Sequence, residues 1–149
     1  LKYEFKLTWE EIGNKSIKLG DTESERNFKR YVPHKSVLLV TEEDFSKDLE
    51  SFIFWISDFL NINIKIISQE TLLSPDSNLD LSLFEKIRWI AKSKEIPTQI
   101  FNSGATVDER GLSQNGKQEL LCWVKEQSIS ITNHRYGNIG SGPQPFKEW

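Results

Sequence analysis

Hydrophobic and polar positions alternate from the first residues of the chain. Tyr3, Phe5, Leu7 and Trp9 interleave with Glu4, Lys6 and Thr8, a period of two that predicts a half-buried strand. From Glu10 to Lys35 the chain turns polar, with Gly13, Gly20 and the charged run DTESERNFKR, and reads as turns or a loop. Residues 35–40, KSVLLV, are a continuous apolar run of the kind found in a strand covered on both faces of a parallel sheet. Thr41 with Asp44 makes a capping start for a helix in which Phe45, Leu49, Phe52, Ile53, Ile56, Phe59 and Leu60 recur at helical spacing. Asn61 stops that helix, and residues 62–68, INIKIIS, supply the next strand of a β-α-β unit.

A second unit of the same kind follows. After the turn-forming SPDSNLD, Ser82 and Glu85 cap a helix beginning near Leu83, with Phe84, Ile87, Ile90 and Ala91 as its apolar stripe. Pro97 disfavours α geometry at Ile96, so the helix ends there and residues 98–101, TQIF, become a strand. Asn115 then caps a third helix running to about Gln127, with Leu120, Leu121 and Val124 inward, and SISIT (128–132) extends. The pattern predicts an α/β fold: a Rossmann-like parallel sheet flanked by helices. Residues 1–35 read as an N-terminal strand and polar linker, 36–146 as the α/β domain and 147–149 as a tail.

Composition narrows the class. A chain of 149 residues is the usual size of one domain, which buries roughly 70% of its unfolded surface. The lone cysteine, Cys122, lies in the apolar run LLCWV and reads as a buried thiol, with no disulfide framework to suggest secretion. No apolar stretch approaches the ~20 residues that span a bilayer, and the first residues lack a signal-peptide core. The expectation is a soluble, cytoplasmic protein without membrane contact. The start at Leu1, the absence of methionine and the closing SGPQPFKEW suggest a piece of a longer polypeptide. A net charge of −3 and a pI near 5.5 exclude general attraction to a polyanion, so any nucleic-acid contact must come from a local cluster.

Several motifs fail on context. GLSQNGKQ places Gly111, Gly116 and Lys117 at P-loop spacing, but VDER precedes the first glycine where a buried strand is needed, and Gln118 replaces the Mg²⁺-binding hydroxyl. GNIGSG, 137–142, echoes a dinucleotide-binding loop, yet Pro143 and Pro145 follow it instead of a helix. Pro75-Asp76 lacks the Glu-x-Lys that a restriction-type nuclease places after it, since Glu4-Phe5-Lys6 comes before. His34 and His134 are the only imidazoles and neither has a metal-ligand spacing, so no metal site is predicted. No G-x-S-x-G elbow presents a nucleophile, so catalysis is not expected.

The strongest functional patch is the second predicted helix and the segment after it. Phe84 and Arg88 are four apart and share a face in a helix, Lys86, Lys92 and Lys94 outnumber Glu85 and Glu95, and Gln99 follows. The plain alternative is a core phenylalanine beside a solvated cationic face.

LFEKIRWIAKSKEIPTQIF resembles the segment of the Argonaute MID domain in which a helix carrying an aromatic and a basic residue four apart leads through a turn to glutamine. Downstream, LLCWVKEQ and IGSGPQPF resemble that family's lysine-bearing helix and its junction to the PIWI domain. The resemblance implies that Phe84 stacks on the first base of a guide strand, that Arg88 and Gln99 hold its 5′-phosphate, and that Lys125 and Arg135 add contacts. It also implies a Rossmann-like fold, single-stranded RNA or DNA as the partner, and a PIWI-like domain C-terminal to this chain. No cofactor is implied beyond a Mg²⁺ ion bridging the bound phosphate. Chemically the set is coherent, because arginine engages phosphate bidentately and an aromatic face stacks a base for ~1 to 3 kcal/mol.

The leading expectation is therefore a non-enzymatic module anchoring the 5′-phosphorylated end of a guide strand. The rivals are a Rossmann-like or TIR-like nucleotide-processing domain, using the loop after KSVLLV and the acidic run Glu42, Glu43 and Asp44, and a non-catalytic protein-interaction domain.

Overall fold

The computed structural model describes residues 1–21 and 25–132, which fall into two compact units. The first comprises Leu1–Val32 together with the chain from Asn115 onward, and the second Pro33–Gln114.

The first unit opens with helix α1 (Lys2–Ile12), where the alternation predicted a strand. The reason lies in which aromatic residues are covered: Phe5 is buried and Trp9 and Ile12 are half-buried, an i, i+4, i+7 stripe, whereas Tyr3 and Leu7 are exposed. The polar stretch predicted as a loop forms strands β1 (Ile17–Asp21) and β2 (Glu25–Pro33), paired antiparallel with Lys18 opposite Phe28. Only Phe28 of β2 is buried, so the charged side chains occupy strand positions that the core does not require to be apolar.

The remaining elements of this unit come from the far end of the chain. Helix α5 (Gly116–Leu121) is capped as predicted, with the Asn115 side chain accepting from the Gln118 N–H at 3.1 Å, but it ends well short of Gln127. Cys122 and Trp123 close it, and β7 (Val124–Thr132) joins the sheet in the order β1-β2-β7. Packing of α1 on α5 is tight: the Gly116 N–H donates to Glu4 Oε2 at 2.9 Å. A methyl group on Gly116 would lie 2.5 Å from Glu4 Cβ and 2.6 Å from the Phe5 nitrogen.

The second unit is the predicted Rossmann-like α/β core. Strand β3 (Ser36–Thr41) is covered on both faces, with Val37, Leu38, Leu39 and Val40 fully buried. Helix α2 (Lys47–Leu60) starts later than predicted because Ser46, not Thr41, caps it, accepting from the Asp48 and Leu49 N–H groups, while Thr41 remains in the strand. Asn61 ends it as expected, in the left-handed conformation at φ 55°. Strand β4 (Asn63–Ser68) returns parallel to β3, and Ser68 then caps a short helix, α3 (Gln69–Leu73).

The predicted second helix is absent. A single 3-10 turn at Leu81–Leu83 is followed by β5 (Lys86–Trp89), parallel to β3. TQIF, predicted as a strand, is instead the helical turn α4 (Thr98–Phe101), and β6 (Thr106–Asp108) completes a four-stranded parallel sheet in the order β4-β3-β5-β6. The sequence misleads at β5 because two of its four buried residues are cations. Lys86 pairs with Asp108 at 3.1 Å, and the Arg88 guanidinium donates to the carbonyls of Gly111 at 2.8 Å and Arg110 at 3.4 Å. Those internal partners break the apolar run that marks a buried strand and imitate the polar face of a helix.

Candidate functional site

In the order β4-β3-β5-β6 the central strand β3 has β4 on one side and β5 on the other. The chain passes from β3 to β4 on one side and then crosses from β4 back past β3 to β5 on the other, and the carboxyl end of strands at such a reversal is where open α/β sheets hold ligands. The residues that meet there come from the ends of three strands.

Glu42 follows the last residue of β3, and the segment leaving β5 is drawn toward it because Ile90 and Ala91 both donate to the Val40 carbonyl, at 3.0 and 3.2 Å. That places two successive N–H groups on one carboxylate oxygen: Lys92 N donates to Glu42 Oε1 at 2.6 Å and Ser93 N at 2.9 Å. The other oxygen accepts from Ser93 Oγ at 2.9 Å and from Gln69 Nε2 at 3.1 Å. Gln69, directly after β4 and 1% exposed, also bonds through Nε2 to Ser93 Oγ. Its Oε1 is buried and has no hydrogen-bond partner among the described residues. The bonds from the Lys92 N–H and the Ser93 hydroxyl outweigh desolvation and hold Glu42 below its ordinary carboxylate range.

Hollows open on this unit's surface among the described residues, two of which bear on the site. One, of about 230 Å³, is lined by Trp89, Ala91, Lys92, Lys94, Glu95, Ile96 and Glu109. The other, of about 360 Å³, is lined by Glu43, Glu70, Thr71, Ser74, Asp76 and Ser77, so every charged residue of its lining is acidic. Near the far edge of the sheet, Asp108 accepts from Arg110 Nη2 at 2.7 Å and from the Arg110 N–H at 2.9 Å, as well as pairing with Lys86. Burial alone raises its pKa, but Arg110 and Lys86 together hold Asp108 well below the usual carboxylate range.

Within the second unit, Phe84, Arg88 and Gln99 do not form one exposed patch. Phe84 is 9% exposed and packs in the core with Leu38, Ile87 and Trp89, so its ring offers no open stacking face. Arg88 is fully buried with its guanidinium turned to the carbonyls of residues 110 and 111, and it lies on a strand, not on a helix four residues from an exposed aromatic. Gln99 is exposed on α4, and Lys125 is half-buried on β7 in the first unit. Arg135, His134 and the GNIGSG and closing PQPF stretches lie outside the described residues. The acidic run after β3 does contribute, through Glu42. Gln69 and Ser93 went unnoticed because a polar residue just past a strand end carries no periodic signal.

No family model matches the chain, and no curated protein matches it. Among solved structures, it is similar to Proline Utilization A (PutA) from Corynebacterium freiburgense. The TM-score is 0.58 and the identity 21%, over 88% of this chain and 13% of that one. At that identity the likeness concerns the fold. The chain spans about an eighth of the length of the protein it resembles. Among the described residues no helix is long and apolar enough to cross a membrane.

Proposed function

We propose that this chain is a non-catalytic Rossmann-like module of a larger cytoplasmic polypeptide related to proline-utilisation proteins, contributing structure and contacts to neighbouring parts and no chemistry of its own. The correspondence with PutA carries this reading, because nearly the whole chain matches a small segment of a much longer protein. The Glu42 clamp supports it. A carboxylate fixed where a sheet of this strand order receives a phosphate group repels nucleotides, and the acidic hollow beside Glu70 and Asp76 adds to that field. The test is to delete residues 1–149 from the polypeptide that carries them and to measure its oligomeric state and its proline consumption. Loss of assembly with a several-fold fall in consumption is expected, while the chain by itself consumes neither proline nor nucleotide. Full assembly and undiminished consumption after deletion would overturn the proposal.

A second reading, anchoring of the 5′-phosphorylated end of single-stranded RNA or DNA, draws on Lys92, Lys94 and Gln99, all exposed on the segment that follows β5. Fluorescence anisotropy with 5′-phosphorylated and 5′-hydroxyl oligonucleotides separates the two. A preference of roughly tenfold, about 1.4 kcal/mol, for the phosphorylated strand supports this reading, and equal affinity removes it.

A further inference from the structure

The clamp around Glu42 has the composition of an anion site whose anion belongs to the chain itself. Two successive backbone N–H groups, a hydroxyl and a side-chain amide converge on one carboxylate. Successive N–H groups of this kind form concavities that bind anions wherever the backbone presents them. A phosphate group offers the same acceptor oxygens as the carboxylate, at the place in the sheet where ligands of this fold sit.

One further observation points to phosphate in particular. The Gln69 amide keeps a buried oxygen with no donor among the described residues. A carboxylate supplies no proton to it, whereas a hydrogen phosphate carries a P–OH. Lys92, whose N–H bonds Glu42, also lines the 230 Å³ hollow, where Lys94 is joined by Glu95 and Glu109, so that hollow carries no net charge of its own against an entering anion.

We infer that Glu42 is the specificity-determining residue of this crevice. Its side chain fills a phosphate-binding position made by the Lys92 and Ser93 N–H groups, Ser93 Oγ and Gln69 Nε2, and so keeps phosphate-bearing ligands out. This inference deepens the non-catalytic reading and rests on it for the unaltered protein. It concerns a single side chain and does not depend on which larger polypeptide carries the domain.

The experiment is a titration of inorganic phosphate into the full 149-residue chain, followed through the amide resonances of Lys92 and Ser93. The unaltered protein is compared with Glu42→Ser, Glu42→Ala and Glu42→Gln. Saturable phosphate-dependent shifts at those two amides are expected in the Ser and Ala variants at millimolar phosphate. The unaltered protein and the Gln variant, whose amide oxygen still fills the position, show none. Adding Ser93→Ala to Glu42→Ser weakens the response several-fold. Should the Ser and Ala variants be partly unfolded, phosphate restores their folded fraction and raises their melting temperature, as a ligand selective for the folded state must.

Ser and Ala variants that neither shift nor regain structure with phosphate would sink the inference, as would an unaltered protein that binds phosphate at the same amides. Either result takes the Glu42 support from the non-catalytic reading without overturning it; that reading fails instead if deletion leaves assembly and proline consumption intact or if the unaltered chain turns over a nucleotide.

Discussion

Asp108 shows how much a single buried carboxylate organises in the second unit. It is 8% exposed, neutralises Lys86 on the neighbouring strand, and holds the backbone and side chain of Arg110. Removing it takes a carboxylate away from the buried Lys86 charge, so Asp108→Ala is expected to cost about 3–5 kcal/mol, read as a lowered urea midpoint. Its folded pKa lies below the unfolded value of about 3.9, so its contribution is complete above that value and is lost as the pH falls through the folded pKa. Unfolding midpoints measured from pH 6 downward should decline below about pH 4 in the unaltered chain, and less steeply in Asp108→Asn. Two tryptophans give a second contrast. Trp123 Nε1 donates to buried Glu119 at 2.6 Å, whereas the buried Trp89 Nε1 has no acceptor among the described residues. Trp123→Phe removes a bond to a charged group, worth about 1.5–3 kcal/mol, and by denaturant titration Trp89→Phe should cost less. These pairings are invisible in the sequence, where Lys86 and Arg88 read as part of an outward basic patch and Asp108 and Glu119 as ordinary surface charges. Composition does not reveal that a charge has an internal partner.

Elements were legible in proportion to how fully apolar their buried faces are. The stretch β3-α2-β4 was read nearly residue for residue because KSVLLV is covered on both faces and the α2 stripe is long enough for its period to be unambiguous. At α1 a period of two takes in Tyr3, Phe5, Leu7 and Trp9 and a helical period takes in Phe5, Trp9 and Ile12, and only the identity of the covered ones decides between them. The cap of α2 was placed too early for a related reason: Thr41 has the chemistry of a cap but is held by the strand, and Ser46 does the work. Ser46→Ala should lower stability by about 1 kcal/mol, measurable by thermal unfolding. At the junction of α1 and α5, Gly116→Ala is expected to cost about 1–3 kcal/mol, since the methyl group meets backbone that cannot step aside. Circular dichroism at increasing temperature would show a lower midpoint, and an unchanged one would mean that α1 can move off α5 without penalty.

For the molecule as a whole, the fold class was within reach of the sequence and the candidate site was not. A parallel sheet declares itself through runs of buried strand, but its ligand position is set by strand order, which depends on which strands are neighbours and not on what any one contains. Glu42 could be noticed as an acidic residue at a strand end. Its donors after β5 and after β4 could not, because the sequence pattern reads β5 as a helix. The same order predicts a gradient of rigidity in the second unit. Strand β3 is bonded on both sides, so the amides of Val37–Val40 should exchange with solvent most slowly. A hydrogen-exchange profile with its slowest amides elsewhere in that unit would contradict the arrangement.

The first unit is assembled from the two ends of the chain, with everything from Pro33 to Gln114 between them. During synthesis this fixes an order of completion. The second unit is contiguous and can close as soon as β6 has emerged, whereas α1 must wait for α5, and the β1-β2 pair for β7, until residues 115–132 have been made. Bridging so long an interval costs chain entropy that grows with its length, and a second unit already folded shortens the gap to be closed. A chain ended at Gln114 should therefore keep the protection of β3 while its first residues remain sensitive to protease, as a nascent chain would show them.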